Sequence, residues 1–439
     1  MLNGVVAAAL RAGATEAEAV FAERASLSVS VRLGKLEEVE REESRELGVR
    51  VFIGARQASV SASDISREGR DKLVERALAM ARLAPEDPYA GLAQAEVLAR
   101  EPSADFELFD PDEPDAAGLE VAAQACEAAA LAVPGVMNSG GAGAGWSSSN
   151  WRMVTSGGFS GSHRTTASSL SAQAIAGQGS QMEQDWDART TRWRDDLPPP
   201  HEIGAEAGRR ASAALGAHKI RSTTAPVIFE DRVAGSLLGP FIGAISGPSV
   251  ARGVSFLKDK LGQRVFTPGV ELLDDPHLRR GLGSSSFDDE GVANRPTALV
   301  EDGVLRTWLL NSSSARQLGL ETTGHAARGL AGPPGVGVTN LTLAPGTEDM
   351  AGLMRLAGSG LLVTSMFGPS LNANTGDWSA GCSGFWFENG EAAFPVTEIT
   401  VAGNLVDIYR RLVPGSDLRM RRQVNSPSLL VDDLSIAGR

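Results

Sequence analysis

Residues 385–396 read Phe-Trp-Phe-Glu-Asn-Gly-Glu-Ala-Ala-Phe-Pro-Val. Asn389-Gly390 is the pair that best tolerates the two positive-φ positions of a tight hairpin, so Phe385-Trp386-Phe387 and Ala392 to Val396 are expected as antiparallel strands. Asp302-Gly303 repeats the signal between Ala298-Leu299-Val300 and Val304 to Leu310. Just upstream, Pro226 to Phe229 reads as a short buried strand. Val233 to Ile245 is apolar enough for a core helix despite Pro240. Residues 218–439 therefore form a mixed, mostly antiparallel β domain with helices.

Towards the N-terminus the pattern changes. Residues 116–217 form a middle unit that opens on an Ala-rich helix, Ala116 to Ala132. From Met137 to Arg194 it is rich in Gly, Ser and Thr, which suggests short strands, and a helix over His201 to Ala217 follows Pro198-Pro199-Pro200. Residues 85–115 carry prolines 85, 88, 102, 111 and 114 and the acidic run Asp110 to Asp115, the composition of a linker or exposed loop. In residues 1–84, Leu27, Val29, Val31 and Leu33 alternate with polar residues, the period of a half-buried strand. After the turn at Gly34-Lys35, short strands are expected over Glu37 to Glu43, Leu47 to Ile53 and Gln57 to Ser61. A helix capped by Ser66 and stopped by Pro85 closes the unit. The fold class is α+β.

At 439 residues the chain exceeds the roughly 250–300 at which one core stops growing. Its 50 glycines against 14 Phe, 7 Trp and 2 Tyr imply many turns and small-residue packing. The net charge is −13, and the densest basic block, Arg419 to Arg422, holds only three arginines. Nucleic-acid binding is thereby disfavoured. Cys126 and Cys382 are the only cysteines, which suits a reducing compartment. The first twenty residues read as an amphipathic helix, not a signal peptide, and no run of 18 apolar residues occurs. No membrane association and a cytoplasmic location are the expectation.

No complete catalytic set emerges. The histidines are His163, His201, His218, His277 and His325, and none stands four or five positions from another, as a helical zinc motif requires. His201-Glu202 reads as a helix-start pair, since Ala205 and Glu206 stand where a second histidine belongs. Ser284-Ser285-Ser286 and Ser312-Ser313-Ser314 read as loop and helix-cap serines in the absence of GxSxG. Gly140 to Gly145 reads as a flexible turn without the Lys-Ser/Thr of a phosphate loop. Asp288-Asp289-Glu290 offers acid–base or cation chemistry but reads more simply as a solvated turn before Gly291. Cys382, with no histidine near it in sequence, reads as a buried structural thiol.

Several stretches together resemble the C-terminal domain of one family: Ala225-Pro-Val-Ile-Phe-Glu, Leu238-Gly-Pro-Phe-Ile-Gly-Ala-Ile, Ser286-Phe-Asp-Asp-Glu-Gly-Val, Glu301-Asp-Gly-Val-Leu-Arg-Thr-Trp-Leu-Leu, Ser314-Ala-Arg-Gln-Leu-Gly-Leu, Thr323-Gly-His-Ala, Gly384-Phe-Trp-Phe-Glu-Asn-Gly-Glu and Val396-Thr-Glu-Ile-Thr-Val-Ala-Gly-Asn-Leu. They follow the order found in the TldD/TldE (PmbA) family, and Gly48-Val-Arg-Val-Phe and the Ser61 to Asp64 segment extend the likeness through the N-terminal unit. The resemblance implies a metalloprotease made of two kinds of subunit. TldD-type chains carry His-Glu-three residues-His on a helix and a cysteine near the C-terminus as zinc ligands. Here the corresponding helix, Gly235 to Ile245, has Gly239, Pro240 and Ala244 at those places, and Arg421 to Ser428 holds no cysteine. The resemblance therefore implies a TldE-type chain with no catalytic residue, no metal ligand and no cofactor of its own. Its zinc-bearing TldD-like partner would complete a heterodimer that processes or degrades small unfolded peptides, and an effect on DNA gyrase would be indirect. Edge strands near Gly376 to Phe387 offer a peptide channel, with Gly376, Gly381, Gly384 and Phe385 as binding candidates; a plain turn between core strands reads equally well. The alternative function is a non-proteolytic, homodimeric binding or assembly protein.

Overall fold

The computed structural model describes residues 1–100 and 105–439; Pro102 of the expected linker lies outside them. The fold is mixed α+β. Helix α1 (Leu2–Arg11) leads into three antiparallel strands, β1 (Glu16–Arg32), β2 (Lys35–Ile53) and β3 (Arg56–Ala62), and then helix α2 (Arg67–Leu83). Ser66 caps α2 by accepting from Gly69 N at 3.0 Å. Helix α3 (Ala116–Leu131), strands β4 (Val136–Thr155), β5 (Ser160–Ala176) and β6 (Glu183–Thr191) and helix α4 (Pro200–Ala213) follow.

These strands form one sheet in the order β3-β2-β1-β4-β5-β6. The first and middle units are thus joined along the β1–β4 pairing, from Glu18 opposite Thr155 to Val31 opposite Ala142. Odd-numbered β1 residues, Ala17, Ala19, Leu27, Val29 and Val31, pack under the four helices. Even-numbered Val20 and Ala22 face the other way and meet Phe287, Val292 and Leu330 of the C-terminal part. Burial on both faces explains why the run Ala17 to Val20 belongs to a strand although the first twenty residues read as helix: Gly13, at φ +106, ends α1 where L-residues resist following. The strands are longer than expected. Glu37 to Glu43 and Leu47 to Ile53 are one strand, because Lys35 to Glu43 is exposed throughout and leaves no alternation to read. Gly140 to Gly145 is also strand interior, not a flexible turn, with Ala142, Ala144 and Trp146 buried on alternate positions.

The expected linker is docked. Leu92, Ala93 and Leu98 are buried, Ala99 N donates to Gly291 O at 2.9 Å, and the Arg316 guanidinium donates to the carbonyls of Tyr89, Gly91 and Leu92.

In the C-terminal part, strand β7 (Thr223–Phe229) pairs in parallel with Gly360–Leu371 and antiparallel with Leu429–Ala437. Gly360–Leu371, Asp377–Glu388 and Glu391–Asn404 continue the sheet, and Thr400 to Ala402 pair back onto Ser435 to Ala437, closing it on itself. Both hairpins form: Asp302 and Gly303 have φ of 46° and 73°, Asn389 and Gly390 of 52° and 78°. Beyond the first turn only Val304–Leu305 is strand. Val233 to Ile245 is not one helix but α5 (Asp231–Ala234), a 3-10 turn and α6 (Leu238–Ala244). Pro240, in the first turn of α6, lacks the N–H that a helix continuing through it would need. Leu237, Leu238 and Phe241 are fully buried, and Tyr409 Oη donates to Leu237 O at 2.7 Å. Among the described residues no helix is long and apolar enough to cross a membrane.

Candidate functional site

Helix α6 presents Gly239 to solvent and Pro240 half-buried, with Ala244 turned into the core. None of the three side chains has a donor atom, so these residues do not fit a zinc ion. The histidines sit apart and have other employment. His163 stacks on Trp151 at 5.1 Å, His218 on Phe394 at 4.9 Å and His277 on Phe106 at 5.0 Å. His325 Nε2 lies 3.3 Å from Asp274, and His201 is in the first turn of α4. Desolvation lowers His163 to about 4. Among the described residues no three His, Cys, Asp or Glu side chains converge to hold a metal ion.

Beside α5 and the 3-10 turn that follows it runs a cleft whose far wall is β6. Its floor is the C-terminal stretch Arg419 to Ser426, and its cavity of about 240 Å³ is lined by Asp187, Arg189, Asp231, Arg232, Arg421 and Arg422 among others. This site is not legible in the sequence. The only signal was the basic block at 419–422, and nothing in the sequence brings Arg189 and Arg232 to it.

The four expected channel residues separate. Gly384 and Phe385 line a cavity of about 360 Å³ between α4 and the closed sheet, together with Arg210, Glu230 and Leu362. Gly376 and Gly381 do not line it. Gly376, at φ +82, turns the chain against the Phe256 ring, and Gly381 lies under the Phe367 ring. The strand Asp377–Glu388 is not an edge: Gly384 is paired with Val363 on one side and Val396 on the other. Its backbone groups are occupied by the closed sheet, which removes the added-strand contact expected there. Gly384 is required for packing, since a Cβ would strike the Leu362 carbonyl.

Asp288-Asp289-Glu290 is not a solvated turn. Asp288 Oδ1 accepts from Glu290 N and Val292 N at 2.9 Å, and its Oδ2 from Ala326 N at 3.0 Å. Asp289 accepts from Arg328 N at 2.8 Å and Glu290 from Ser312 N at 2.8 Å. Burial pushes Asp288 up to about 8 and raises its two neighbours. The carboxylates serve as caps for loop backbone, not as a cation site. Next to them, Glu18 of β1 pairs with Arg328 and lies 3.5 Å from Arg50 of β2, all three being buried. Cys382 is fully buried, and desolvation pushes its thiol up to about 12, which fits an inert core residue.

Comparison with known proteins places these features in a family frame. Three models described as PmbA/TldA metallopeptidase domain 1, central domain and C-terminal domain match residues 17–81, 107–215 and 222–438. Metalloprotease PmbA of Escherichia coli O157:H7 is 38% identical over 429 residues, covering 96% of this chain and 92% of that protein. A Bacteroides thetaiotaomicron crystal structure of a candidate DNA gyrase modulator superposes with a TM-score of 0.92 at 25% identity, covering 100% of this chain and 98% of that one. TldE from Thermococcus kodakarensis shares the fold, with a TM-score of 0.88 at 20% identity over 99% of each chain.

Proposed function

The chain belongs to the PmbA/TldD metallopeptidase family, and from that premise we propose that it is a TldE-type subunit of a cytoplasmic peptidase whose zinc is held by a TldD-like partner. The observation that carries this reading is Gly239, Pro240 and Ala244 on α6, where the family's zinc-binding chains have their His-Glu-three residues-His ligands. In this reading the chain's own residues carry no step of hydrolysis, which is supported by Cys382 being buried and weakly acidic and by the acids at 288–290 being engaged by backbone N–H groups. Its part is to bind and orient unfolded peptides and to restrict access, since a misplacement of about 1 Å costs on the order of 100-fold in rate.

Purification from the native host with metal analysis tests the assignment. The chain should co-purify with a zinc-bearing sister, and the isolated chain, dialysed, should carry no stoichiometric zinc. A tightly held equivalent of zinc in this chain would overturn it. A zinc-free chain that associates only with itself would instead support the homodimeric binding protein.

A further inference from the structure

The C-terminal stretch brings Arg419, Arg421 and Arg422 to Arg189 of β6 and Arg232 of α5 around the cavity of about 240 Å³. Asp187, Arg189, Arg419 and Arg421 also line an adjoining cavity of about 450 Å³ over the first turns of α4. Five guanidinium groups and two carboxylates, those of Asp187 and Asp231, line the first cavity, in a chain of net charge −13. The basin is therefore a positive island.

Its charges are unevenly satisfied. Arg232 is held by Asp185 at 2.8 Å and Arg189 by Asp187 at 2.6 Å. Arg419 reaches Asp231 only at 3.9 Å. Among the described residues neither Arg421 nor Arg422 has an ion-pair partner, and Arg421 Nη1 is buried with no hydrogen-bond partner. Asp187, with a side chain 2% exposed, likewise leaves Oδ2 unpartnered. A buried donor and a buried acceptor left unpartnered in one cavity wall are costly to the fold, so both side chains gain if a small shift brings them to water or to a ligand.

We infer that this basin binds the C-terminal residue of an extended peptide. A planar guanidinium matches a carboxylate in a two-point, charge-assisted contact, which assigns the terminal carboxylate to Arg421 with Arg422 beside it. In this assignment Asp187 turns its unpartnered Oδ2 toward the cavity and accepts from the amide N–H of the same residue. The acceptor favours a ligand that carries a hydrogen-bond donor beside its negative charge, as the C-terminal residue of a peptide does with its amide N–H. The peptide character of the ligand rests on the function proposed above, but binding requires this chain alone.

The test uses the full chain without a partner and an unstructured Gly/Ser/Ala peptide with a dye at its N-terminus, read by fluorescence anisotropy at low salt. Three forms are compared: a free C-terminal acid, a C-terminal amide, and the amide with an internal Asp. The free acid should bind at least about tenfold more tightly than either amide, the ratio expected for losing one charge-assisted contact. Arg421→Gln with Arg422→Gln should bring the three affinities to within about threefold of each other. If that double variant melts far below the parent, Arg422→Gln alone, at an exposed side chain, should still reduce the preference. Equal binding of acid and amide by the native chain, or a preference that survives both substitutions, would overturn the inference. So would an internal-Asp amide that binds as tightly as the free acid, since the basin would then read acidic side chains. These outcomes leave the subunit assignment standing, because that is judged by zinc content and co-purification.

Discussion

Replacing Arg328 by Met tests how the N-terminal sheet is tied to the C-terminal part. Glu18 and Arg328 each have side chains 1% exposed, and Arg50 is 3% exposed. Without the Arg328 guanidinium, Glu18 keeps only Arg50 at 3.5 Å, and Arg50 is already committed to Gln57 at 2.9 and 2.7 Å. Stranding one partner of a buried pair costs about 3–5 kcal/mol. The loss is offset in part because Arg328 Nη2 is itself buried without a partner, a group that costs about 1–3 kcal/mol to leave unmade. The expected net is therefore about 2 kcal/mol. The backbone bond from Arg328 N to Asp289 survives the change, so the measurement isolates the side chain. Adding Glu18→Gln removes the stranded charge, and the double variant should be about 2 kcal/mol more stable than the sum of the singles predicts, within the usual range for contacting pairs. Urea unfolding followed by both tryptophan fluorescence and circular dichroism gives the values, and coincidence of the two probes checks that a single free energy applies. An Arg328→Met variant within about 0.5 kcal/mol of the parent, or an additive cycle, would refute the reasoning.

Other consequences follow from particular contacts. Gly204→Ala should cost about 3 kcal/mol, the upper end for overpacking, because its Cβ would run into the Cys126 carbonyl where α3 and α4 cross; Gly239→Ala, with nothing within 4 Å, should be neutral or stabilise by up to about 1 kcal/mol. Thermal melts of both variants decide this. His163, held near 4 in the fold and near 6.5 when unfolded, stays neutral where the unfolded chain takes up a proton. Stability should therefore fall as pH drops from about 6.5 to 4, by about 3 kcal/mol in all. His163→Phe, which keeps the stack on Trp151, should remove that component in a difference curve against the parent, whereas identical pH profiles would contradict it. Cys382 should resist iodoacetamide at pH 8 in the native protein and react fully in denaturant, as read by mass spectrometry; rapid native labelling would place the thiol outside the core.

Much of the fold is legible because its signals are local. Asn389-Gly390 and Asp302-Gly303 set their own turns, and Leu27, Val29 and Val31 show their buried face by alternation. What escapes is what depends on distant partners. Asp288, Asp289 and Glu290 look like a solvated turn because the backbone N–H groups that hold them come from residues as far on as Ser312, Ala326 and Arg328. The interior position of Asp377–Glu388 comes from pairing with Gly360–Leu371 on one side and Glu391–Asn404 on the other, and the closure of the sheet by Thr400 to Ala402 meeting the last strand leaves no mark in any one strand. The sequence resemblance points to α6 as the helix to compare, and Gly239, Pro240 and Ala244 on it carry no donor atom. The arginine basin is visible only as the block at 419–422, since its other half comes from β6 and α5.

The central claim, that this chain supplies geometry and its sister the metal chemistry, is tested most directly by cleavage of an unstructured fluorogenic peptide by each chain and by the mixture. This chain alone should give no turnover, the zinc-bearing chain weak turnover, and the mixture restored, chelator-sensitive turnover that persists when Cys382 is replaced by Ala. Full turnover by this chain alone, unaffected by chelator, would contradict it.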